Sequence, residues 1–175
     1  MAKIIVIGCP GSGKSTMTFK MKEKLRCPVL HLDKIYHIDN ERHISRDELV
    51  RQVEEFAVSH EEWIIDGNYI SSVEQRVKLA DTVILLDIDA KTCVDNAVAR
   101  TKKDRSADMA VGFDNTKIQD GFLEYIMNFK KDKLPVIMDI LEKYDNEKNI
   151  IILRSYEEIA KFLEDLDCYF ESASE

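Results

Sequence analysis

A nine-residue run near the amino end of the chain has the spacing of a phosphate-binding loop. Residues 8–16 read GCPGSGKST, which fits the pattern G-x-x-x-x-G-K-[ST]. Glycines in such a loop let the backbone turn sharply and bring its N–H groups close to phosphate oxygens. A helix that begins at the loop adds unpaired N–H groups and the positive end of its dipole. The residues expected to form this phosphate site are Gly8, Pro10, Gly11, Ser12, Gly13, Lys14, Ser15 and Thr16.

Two side chains of the loop have a chemistry of their own. Lys14 is expected to reach the β- and γ-phosphates of a bound nucleotide, and Ser15 to offer its hydroxyl to Mg²⁺. The alternative is a glycine-rich turn without a ligand, but such a turn does not need a lysine and a serine at these offsets. The pattern therefore favours a nucleotide site over a simple turn.

Aspartates follow three of the apolar runs that we interpret as strands. Asp33, Asp66 and Asp87 each come directly after such a run. Ligands of parallel α/β sheets bind beyond the carboxyl ends of the strands, so these side chains and the loop are expected along one edge. Asp66 is the favoured metal residue, because a carboxylate there can hold a water on the Mg²⁺ that Ser15 binds. Asp87 ranks second, and the alternative for Asp66 is the capping of a turn.

Asp33 has a different expected role from Asp66. Its carboxylate could bind an acceptor hydroxyl or take the proton of that hydroxyl as a general base. The alternative is a turn residue at the end of a strand, with no part in chemistry.

Basic residues in the second half of the chain form a candidate clamp for phosphate charge. Phosphoryl transfer spreads negative charge over the transferred oxygens, and cations around them stabilise the transition state. The alternative is a solvated charged turn, which is the favoured reading for the two lysines. The candidate residues are Arg76, Arg100 and Arg105, with Lys102 and Lys103 beside them.

Composition limits the class of protein. The chain has 175 residues and a net charge of −8, so it lacks the basic excess on which binding to duplex DNA or RNA relies. No apolar run approaches the length of a membrane span, and no signal peptide is recognisable, so a cytoplasmic protein is expected. The four cysteines are scattered without a C-x-x-C pair, which argues against a zinc site. One domain over 1–170 and a frayed tail over 171–175 are expected.

Short apolar runs alternate with amphipathic segments along the whole chain. This alternation predicts an α/β protein with a parallel sheet covered by helices on both faces. Capping boxes of the form S-x-x-E begin at Ser45, Ser71 and Ser155, and each predicts the start of a helix. The expected strands are 3–7, 29–32, 63–65, 82–86 and 149–153, and the later expected helices include 90–100, 118–129 and 134–144.

The order of these features resembles the adenylate kinase family. The Asp66-Gly67 pair after an apolar strand, a short helix and the run DTVILLD at 81–87 carry this resemblance. The whole chain resembles more closely the bacterial DNA topology modulation proteins, which are related to adenylate kinases. The runs that carry this second resemblance are HLDKIY at 31–36, IIDGNY at 64–69, DM at 108–109, FLEYIMNF at 122–129 and IILRS at 151–155.

The resemblance implies a three-layer α/β/α P-loop NTPase fold like that of nucleoside monophosphate kinases. It implies a five-stranded parallel sheet of order 2-3-1-4-5 and a lid segment over about 101–114. It also implies ATP and Mg²⁺ as cofactors, and transfer of the γ-phosphoryl group to a small acceptor. Carried over by position, Lys14, Ser15 and Thr16 bind phosphate and metal, Asp66 supports the metal, and Arg100 and Arg105 belong to the lid side.

Departures from the family pattern leave the acceptor open. Asn68 and Tyr69 stand where adenylate kinases have F-P-R, so the acceptor need not be AMP. The lid is also less rich in arginine than in those relatives. A small-molecule or nucleotide kinase is the expected function, and the alternative is an ATP-binding regulatory protein with slow or no hydrolysis that acts through a protein partner. The oligomeric state is left open.

Overall fold

Five parallel strands form the centre of the molecule. The structure is a computed structural model that describes residues 2–102 and 105–171, without the side chains of Cys168 and Glu171. The strand order is β2-β3-β1-β4-β5, and every neighbouring pair is parallel. This order and the three-layer α/β/α arrangement confirm the expected fold. The strands are β1 (Lys3–Gly8), β2 (Val29–His31), β3 (Trp63–Asp66), β4 (Thr82–Leu86) and β5 (Asn149–Leu153).

Helices connect the strands. Of those in the described ranges, none has the length and apolar character needed to cross a membrane. The last helix ends at Glu171, and the rest of the expected frayed tail, 172–175, lies outside the described residues. The helices are α1 (Lys14–Leu25), α2 (Leu32–Tyr36), α3 (Arg46–Ser59), α4 (Val73–Leu79), α5 (Ala90–Ala99), α6 (Phe122–Asp132), α7 (Leu134–Lys143), α8 (Tyr156–Glu164) and α9 (Leu166–Glu171).

The three central strands are buried, which explains their continuous apolar sequence. Residues 4–7 of β1 and 63–65 of β3 have no exposed surface, and β4 is buried along its length. Strands covered on both faces cannot alternate polar and apolar residues, since every side chain meets a helix. Helix α1 packs against β1, β2 and β3 beside α8 and α9, whereas α4 packs against β1 beside α7.

Two of the three predicted capping boxes are confirmed. The hydroxyl of Ser45 accepts from the N–H of Glu48, and that of Ser155 from the N–H of Glu158, each at 3.1 Å. The box at Ser71 is wrong. A 3₁₀ turn over Ile70–Ser72 precedes α4 instead, because the chain leaves the sheet here through a tight turn before the helix can begin.

Several element boundaries differ from the expected ones. Strand β2 ends at His31, so Asp33 lies in the first turn of α2 rather than at a strand end. Helix α6 begins at Phe122 rather than at residue 118, because Gly121 before it has a left-handed backbone with φ of 76°. Helix α5 ends at Ala99 and continues as a 3₁₀ turn over Arg100–Lys102. We call residues 105–121, between this turn and α6, the α5–α6 connection.

Candidate functional site

A cleft of about 770 Å³ opens where β1, β2 and β3 end. Most of the residues predicted from the sequence line it, although they come from five separate parts of the chain. Gly8, Ser12 and Arg76 are buried and do not line the cleft. The predicted residues that line it are Pro10, Gly11, Gly13, Lys14, Ser15, Thr16, Asp33, Asp66, Arg100 and Arg105.

Two glycines shape the loop between β1 and α1. Gly11 has a φ of 84°, and a side chain there would place its Cβ 2.1 Å from the carbonyl oxygen of Cys93. Gly13 has a φ of 97° and directly precedes the first residue of α1. Both positions require glycine, because other residues rarely adopt this backbone and the first has no room for a side chain. The loop therefore brings the unpaired N–H groups at the start of α1 to the edge of the cleft.

Lys14 is held by the loop itself. Its ammonium donates hydrogen bonds to the carbonyl oxygens of Gly8 at 3.1 Å and Cys9 at 3.0 Å. Burial lowers the pKa of Lys14, and the nearby carboxylates of Asp66 and Asp33 oppose this shift. The ammonium thus lies over the loop, where phosphate oxygens can replace the carbonyl groups as acceptors.

Ser15 and Asp66 meet as the sequence predicts for a metal site. The Ser15 hydroxyl donates to Oδ2 of Asp66 at 2.9 Å, and Nδ1 of His31 lies 3.0 Å from the same oxygen. A hydroxyl and a carboxylate are suitable ligands for Mg²⁺, which usually takes one or two carboxylates and completes its shell with waters and phosphate oxygens. No group of three His, Cys, Asp or Glu side chains in the described residues is placed to hold a metal alone.

Asp87, the second choice for the metal, lies elsewhere. Its carboxylate forms an ion pair with Lys130 of α6 at 2.8 Å, and it is not among the residues that line the cleft. The geometry therefore favours Asp66 over Asp87.

Asp33 lines the same cleft and contacts a tyrosine. The Tyr69 hydroxyl donates to Oδ1 of Asp33 at 2.7 Å. Burial, together with the adjacent Asp33 charge, raises the pKa of Tyr69, so the phenol keeps the proton it donates. Because Oδ1 is occupied, Oδ2 is the oxygen left to accept a hydrogen bond from a ligand.

Arg105 lies beside Asp33 but pairs with another carboxylate. Its Nη2 is 2.6 Å from Oδ2 of Asp108 and 4.0 Å from Oδ2 of Asp33. Arg105 and Asp108 are largely buried, whereas Asp33 is about 42% exposed, so the pair forms a wall of the cleft and Asp33 faces its interior.

The α5–α6 connection reaches across to the segment that follows α2. The Asn40 side chain accepts from the N–H of Asp114 at 2.6 Å and donates to the carbonyl oxygen of Asp114 at 2.9 Å. The Gln119 amide donates to the carbonyl oxygen of Asn40 at 2.6 Å. The rings of His37 and Phe113 meet with their centroids 4.7 Å apart. These contacts cover one side of the cleft with the segment where the sequence predicts a lid.

The three predicted arginines do not form one patch. Arg100 lines the cleft, 5.7 Å above the Phe122 ring, and its burial, followed by the nearby Arg105 charge, lowers its pKa. Arg76 is fully buried instead, and its guanidinium donates to three consecutive backbone carbonyl oxygens, at 2.8, 2.9 and 3.3 Å. These carbonyls belong to residues 67–69, so the placement of Arg76 favours support of this loop over contact with phosphate.

Several contacts of the site were not predicted, although His31, Tyr69 and Asp108 lie in runs that carry the family resemblance. His31 and Tyr69 each touch a predicted aspartate, and Asp108 pairs with a predicted arginine three residues before it. The Asn96 amide donates to the carbonyl oxygen of Gly11 at 2.9 Å and to the Tyr156 hydroxyl at 2.7 Å. Apart from the Arg105–Asp108 pair, these contacts join residues far apart in the chain, so no local motif reports them.

The fold is similar to those of solved kinases. A shikimate kinase from Bacteroides thetaiotaomicron shares 15% identity at a TM-score of 0.57, covering 97% of this chain and 98% of that chain. A gluconokinase from Sinorhizobium meliloti 1021 shares 15% identity at a TM-score of 0.58, and the match covers 99% of this chain and 98% of that chain. A deoxyadenosine kinase from M. mycoides shares 14% identity at a TM-score of 0.56, and the match covers 97% of this chain and 98% of that chain. At these identities the likeness shows the P-loop kinase fold.

The sequence matches one family over the half of the chain that carries the loop. None of the curated proteins compared with the chain matches it. A family model described as "Chromatin associated protein KTI12" matches residues 1–90, just over half of the chain. The matched part contains the phosphate loop, Asp33 and Asp66. The chain therefore belongs to the family described as chromatin associated protein KTI12.

Proposed function

We propose that the protein is an ATP-dependent phosphotransferase that moves the γ-phosphoryl group of Mg-ATP to a small acceptor. One observation carries this proposal: the Asp33 carboxylate faces the same cleft as Lys14 and Ser15. A protein that only binds or slowly hydrolyses ATP needs the loop, but it has no use for the Asp33 carboxylate that Tyr69 holds. In a kinase, Asp33 has a role, since a carboxylate in this position can take the proton of the acceptor hydroxyl.

The similar structures support the class of enzyme. All three are named as kinases, and their likeness extends over nearly the whole chain. The motifs of residues 66–87 support our proposal that the enzyme is adenylate kinase-like. We also propose that the chain shares ancestry with the DNA topology modulation proteins. A basic surface for nucleic acid is not part of the proposal, because the chain has a net charge of −8. We place the enzyme in the cytoplasm.

The residues of the loop would bind the nucleotide. The backbone N–H groups of residues 11–16 and the Lys14 ammonium hold the phosphates, and Ser15 with Asp66 holds Mg²⁺, Asp66 acting through a water. When bound, Mg²⁺ would neutralise negative charge that develops during transfer. His31 keeps the Asp66 carboxylate oriented through the 3.0 Å contact.

The transfer is an in-line displacement. The acceptor hydroxyl donates to Oδ2 of Asp33, and Asp33 takes the proton as the acceptor oxygen bonds to the γ-phosphorus. The bond from the γ-phosphorus to the bridging oxygen breaks, and ADP leaves with the electron pair. Arg100 stabilises the charge on the transferred oxygens, while Arg105 stays paired with Asp108 in the wall of the cleft, and the α5–α6 connection excludes water that would otherwise hydrolyse ATP.

The test is ADP production from Mg-ATP across a panel of acceptors. The panel includes nucleosides, nucleoside monophosphates, shikimate-like alcohols and sugar-like alcohols. We expect an acceptor-dependent rate that falls by about a hundredfold or more in Lys14→Ala and in Asp33→Asn. Lys22→Ala and Asp47→Asn are the matched controls, because they remove the same charges from exposed positions on α1 and α3. Unchanged turnover in Lys14→Ala would remove the basis of the proposal.

A second candidate is an ATP-binding regulatory protein that acts through a protein partner. The description of its family as chromatin associated favours this candidate, since it names an association and not a reaction. The two candidates differ in the same experiment. A flat acceptor panel with intact, Lys14-dependent ATP binding supports regulation, whereas an acceptor-dependent rate lost in Asp33→Asn supports the kinase.

A further inference from the structure

We infer that the acceptor is an uncharged alcohol whose molecule also bears a planar ring, as a nucleoside does, and not a phosphorylated compound, because Asp33, Asp108 and the aromatic rings beside them form the acceptor end of the cleft. This inference rests on the proposed function and names the substrate class of the same site. It is argued from the charges around Asp33, from the aromatic walls and from one unpartnered oxygen.

Carboxylates balance or exceed the positive charge around Asp33. Arg105 is the closest cation, but its Nη2 is 2.6 Å from Asp108 and 4.0 Å from Asp33. These three side chains together carry one net negative charge. Arg105 and Asp108 are largely buried, so solvent and salt screen them weakly. A phosphate on the acceptor would therefore meet Asp33 and Asp108, with Arg105 already paired and with Arg100, whose charge also acts on both carboxylates, as the remaining arginine.

Most of the other basic side chains near the cleft have partners, and the exposed Lys20 of α1 lines the cleft in contact with solvent. Arg76 donates to the carbonyls of residues 67–69, Lys14 to those of the loop, and the exposed Lys117 lies 3.8 Å from Asp114. Arg100, above Phe122, is the cation placed to meet the transferred phosphoryl group. A bound triphosphate needs Lys14 and Arg100 for itself, which leaves neither for a second phosphate.

His37 adds no positive charge to this end at neutral pH. Burial lowers its pKa, the charge of Asp33 opposes this shift, and the nearby His43 and Arg105 reinforce it. A neutral imidazole in contact with the Phe113 ring at 4.7 Å is part of an aromatic wall.

Aromatic rings and an unsatisfied amide favour a planar ring on the acceptor. Tyr69 and Tyr125 line the same cleft as His37 and Phe113, and such faces pack well against flat rings. Asn68 donates to the Tyr125 hydroxyl at 3.4 Å, while its Oδ1 is buried and has no hydrogen-bond partner among the described residues. A buried acceptor without a donor is costly, and an N–H or O–H group on the ring of a ligand would satisfy it.

The test compares matched pairs of acceptors with and without a phosphate. The probes are adenosine with AMP, deoxycytidine with dCMP, and a cyclic alcohol with its phosphate ester, each assayed for kcat/KM with saturating Mg-ATP. We expect the uncharged member to be preferred by about tenfold or more. Asp108→Asn, which releases Arg105 from its partner, should reduce this preference several-fold, whereas the matched control Asp139→Asn on the exposed side of α7 should not.

Each outcome separates this inference from the proposed function. A preference for the phosphorylated member would overturn the acceptor class and leave the kinase standing. Equal use of both members would also overturn it, because the charge argument requires a difference. No transfer to any acceptor, with ATP binding intact, would overturn the inference together with the kinase. The ratio measured on the unmodified protein decides between these outcomes even if Asp108→Asn fails to fold.

Discussion

At the scale of single residues, Arg76 shows how burial decides what a charged side chain does. Its guanidinium has no exposed surface, and burial lowers its pKa to about 10. It donates to the carbonyl oxygens of Gly67, Asn68 and Tyr69. Of these three residues, Asn68 and Tyr69 also line the cleft. The residue thus supports the loop that holds Asp33 in place, and its contribution is to the stability of the site rather than to phosphate binding.

Replacing Arg76 with methionine tests this role. Arg76→Met leaves the carbonyl oxygens of Gly67 and Asn68 without the guanidinium donor, whereas that of Tyr69 still accepts from the N–H and the hydroxyl of Ser72, and each unsatisfied group costs about 1–3 kcal/mol. We expect the free energy of unfolding, measured by urea titration, to fall by about 3 kcal/mol or more. Lys78→Met, an exposed lysine on the same helix, is the control and should change it by less than about 0.5 kcal/mol. Equal effects of the two substitutions would contradict the structural role of Arg76.

At the scale of elements, the cleft is covered by contact between two segments without regular structure. The α5–α6 connection is fastened to the segment after α2 largely through Asn40. A hydrogen bond contributes about 1 kcal/mol, so we expect these contacts to favour the covered arrangement and to be weak enough to open for substrate exchange. We propose that the connection acts as a lid, since lids gate many enzymes that must exclude water.

Replacing Asn40 with alanine should loosen this cover. Asn40→Ala removes both side-chain hydrogen bonds to Asp114, so opening should become about tenfold more frequent. The measurement is hydrogen exchange of the backbone amides over 113–116, whose protection should fall while that of β1 is unchanged. The control is Glu41→Ala, at the neighbouring exposed position. If both variants exchange like the unmodified protein, Asn40 does not hold the connection closed.

At the scale of the whole molecule, the parallel sheet makes distant residues neighbours. Asp66 follows the loop by about fifty positions, and its carboxylate nevertheless lies 2.9 Å from Ser15 because β1 and β3 are adjacent in the sheet. A ligand that binds here contacts residues from α1, α2, β3 and the α5–α6 connection. Binding should therefore stabilise the fold as a unit rather than one segment of it.

Mg-ATP should raise the melting temperature. At a concentration one hundred times its Kd, a ligand adds about 2.7 kcal/mol to stability, which corresponds to roughly 5–10 °C for a chain of this size. Differential scanning fluorimetry with and without Mg-ATP measures this shift. Lys14→Ala should lose most of it, whereas Lys22→Ala should keep it. An equal rise in Lys14→Ala would mean that the nucleotide binds elsewhere.

The resemblance to adenylate kinases implied the strand order, whereas the residues themselves predicted the phosphate loop, the alternation of strands with helices and the candidate metal residues Ser15 and Asp66. These features are local or repetitive: a fixed spacing of glycines with a lysine, apolar runs alternating with helices, and an aspartate that directly follows a strand. Such patterns can be recognised because backbone geometry and burial impose them on neighbouring residues. The predicted roles of Lys14, Asp33 and Asp66 themselves await the experiments described above.

Only the tertiary structure decided which side chains meet across the cleft. It separated Arg76 from Arg100 and Arg105, paired Tyr69 with Asp33 and Asp108 with Arg105, and placed Asn40 on the connection that covers the site. The same charged residue can bind phosphate, neutralise a carboxylate or support a loop, and its neighbours select among these roles. Because most of those neighbours come from other elements, their identity follows from packing and not from spacing along the chain.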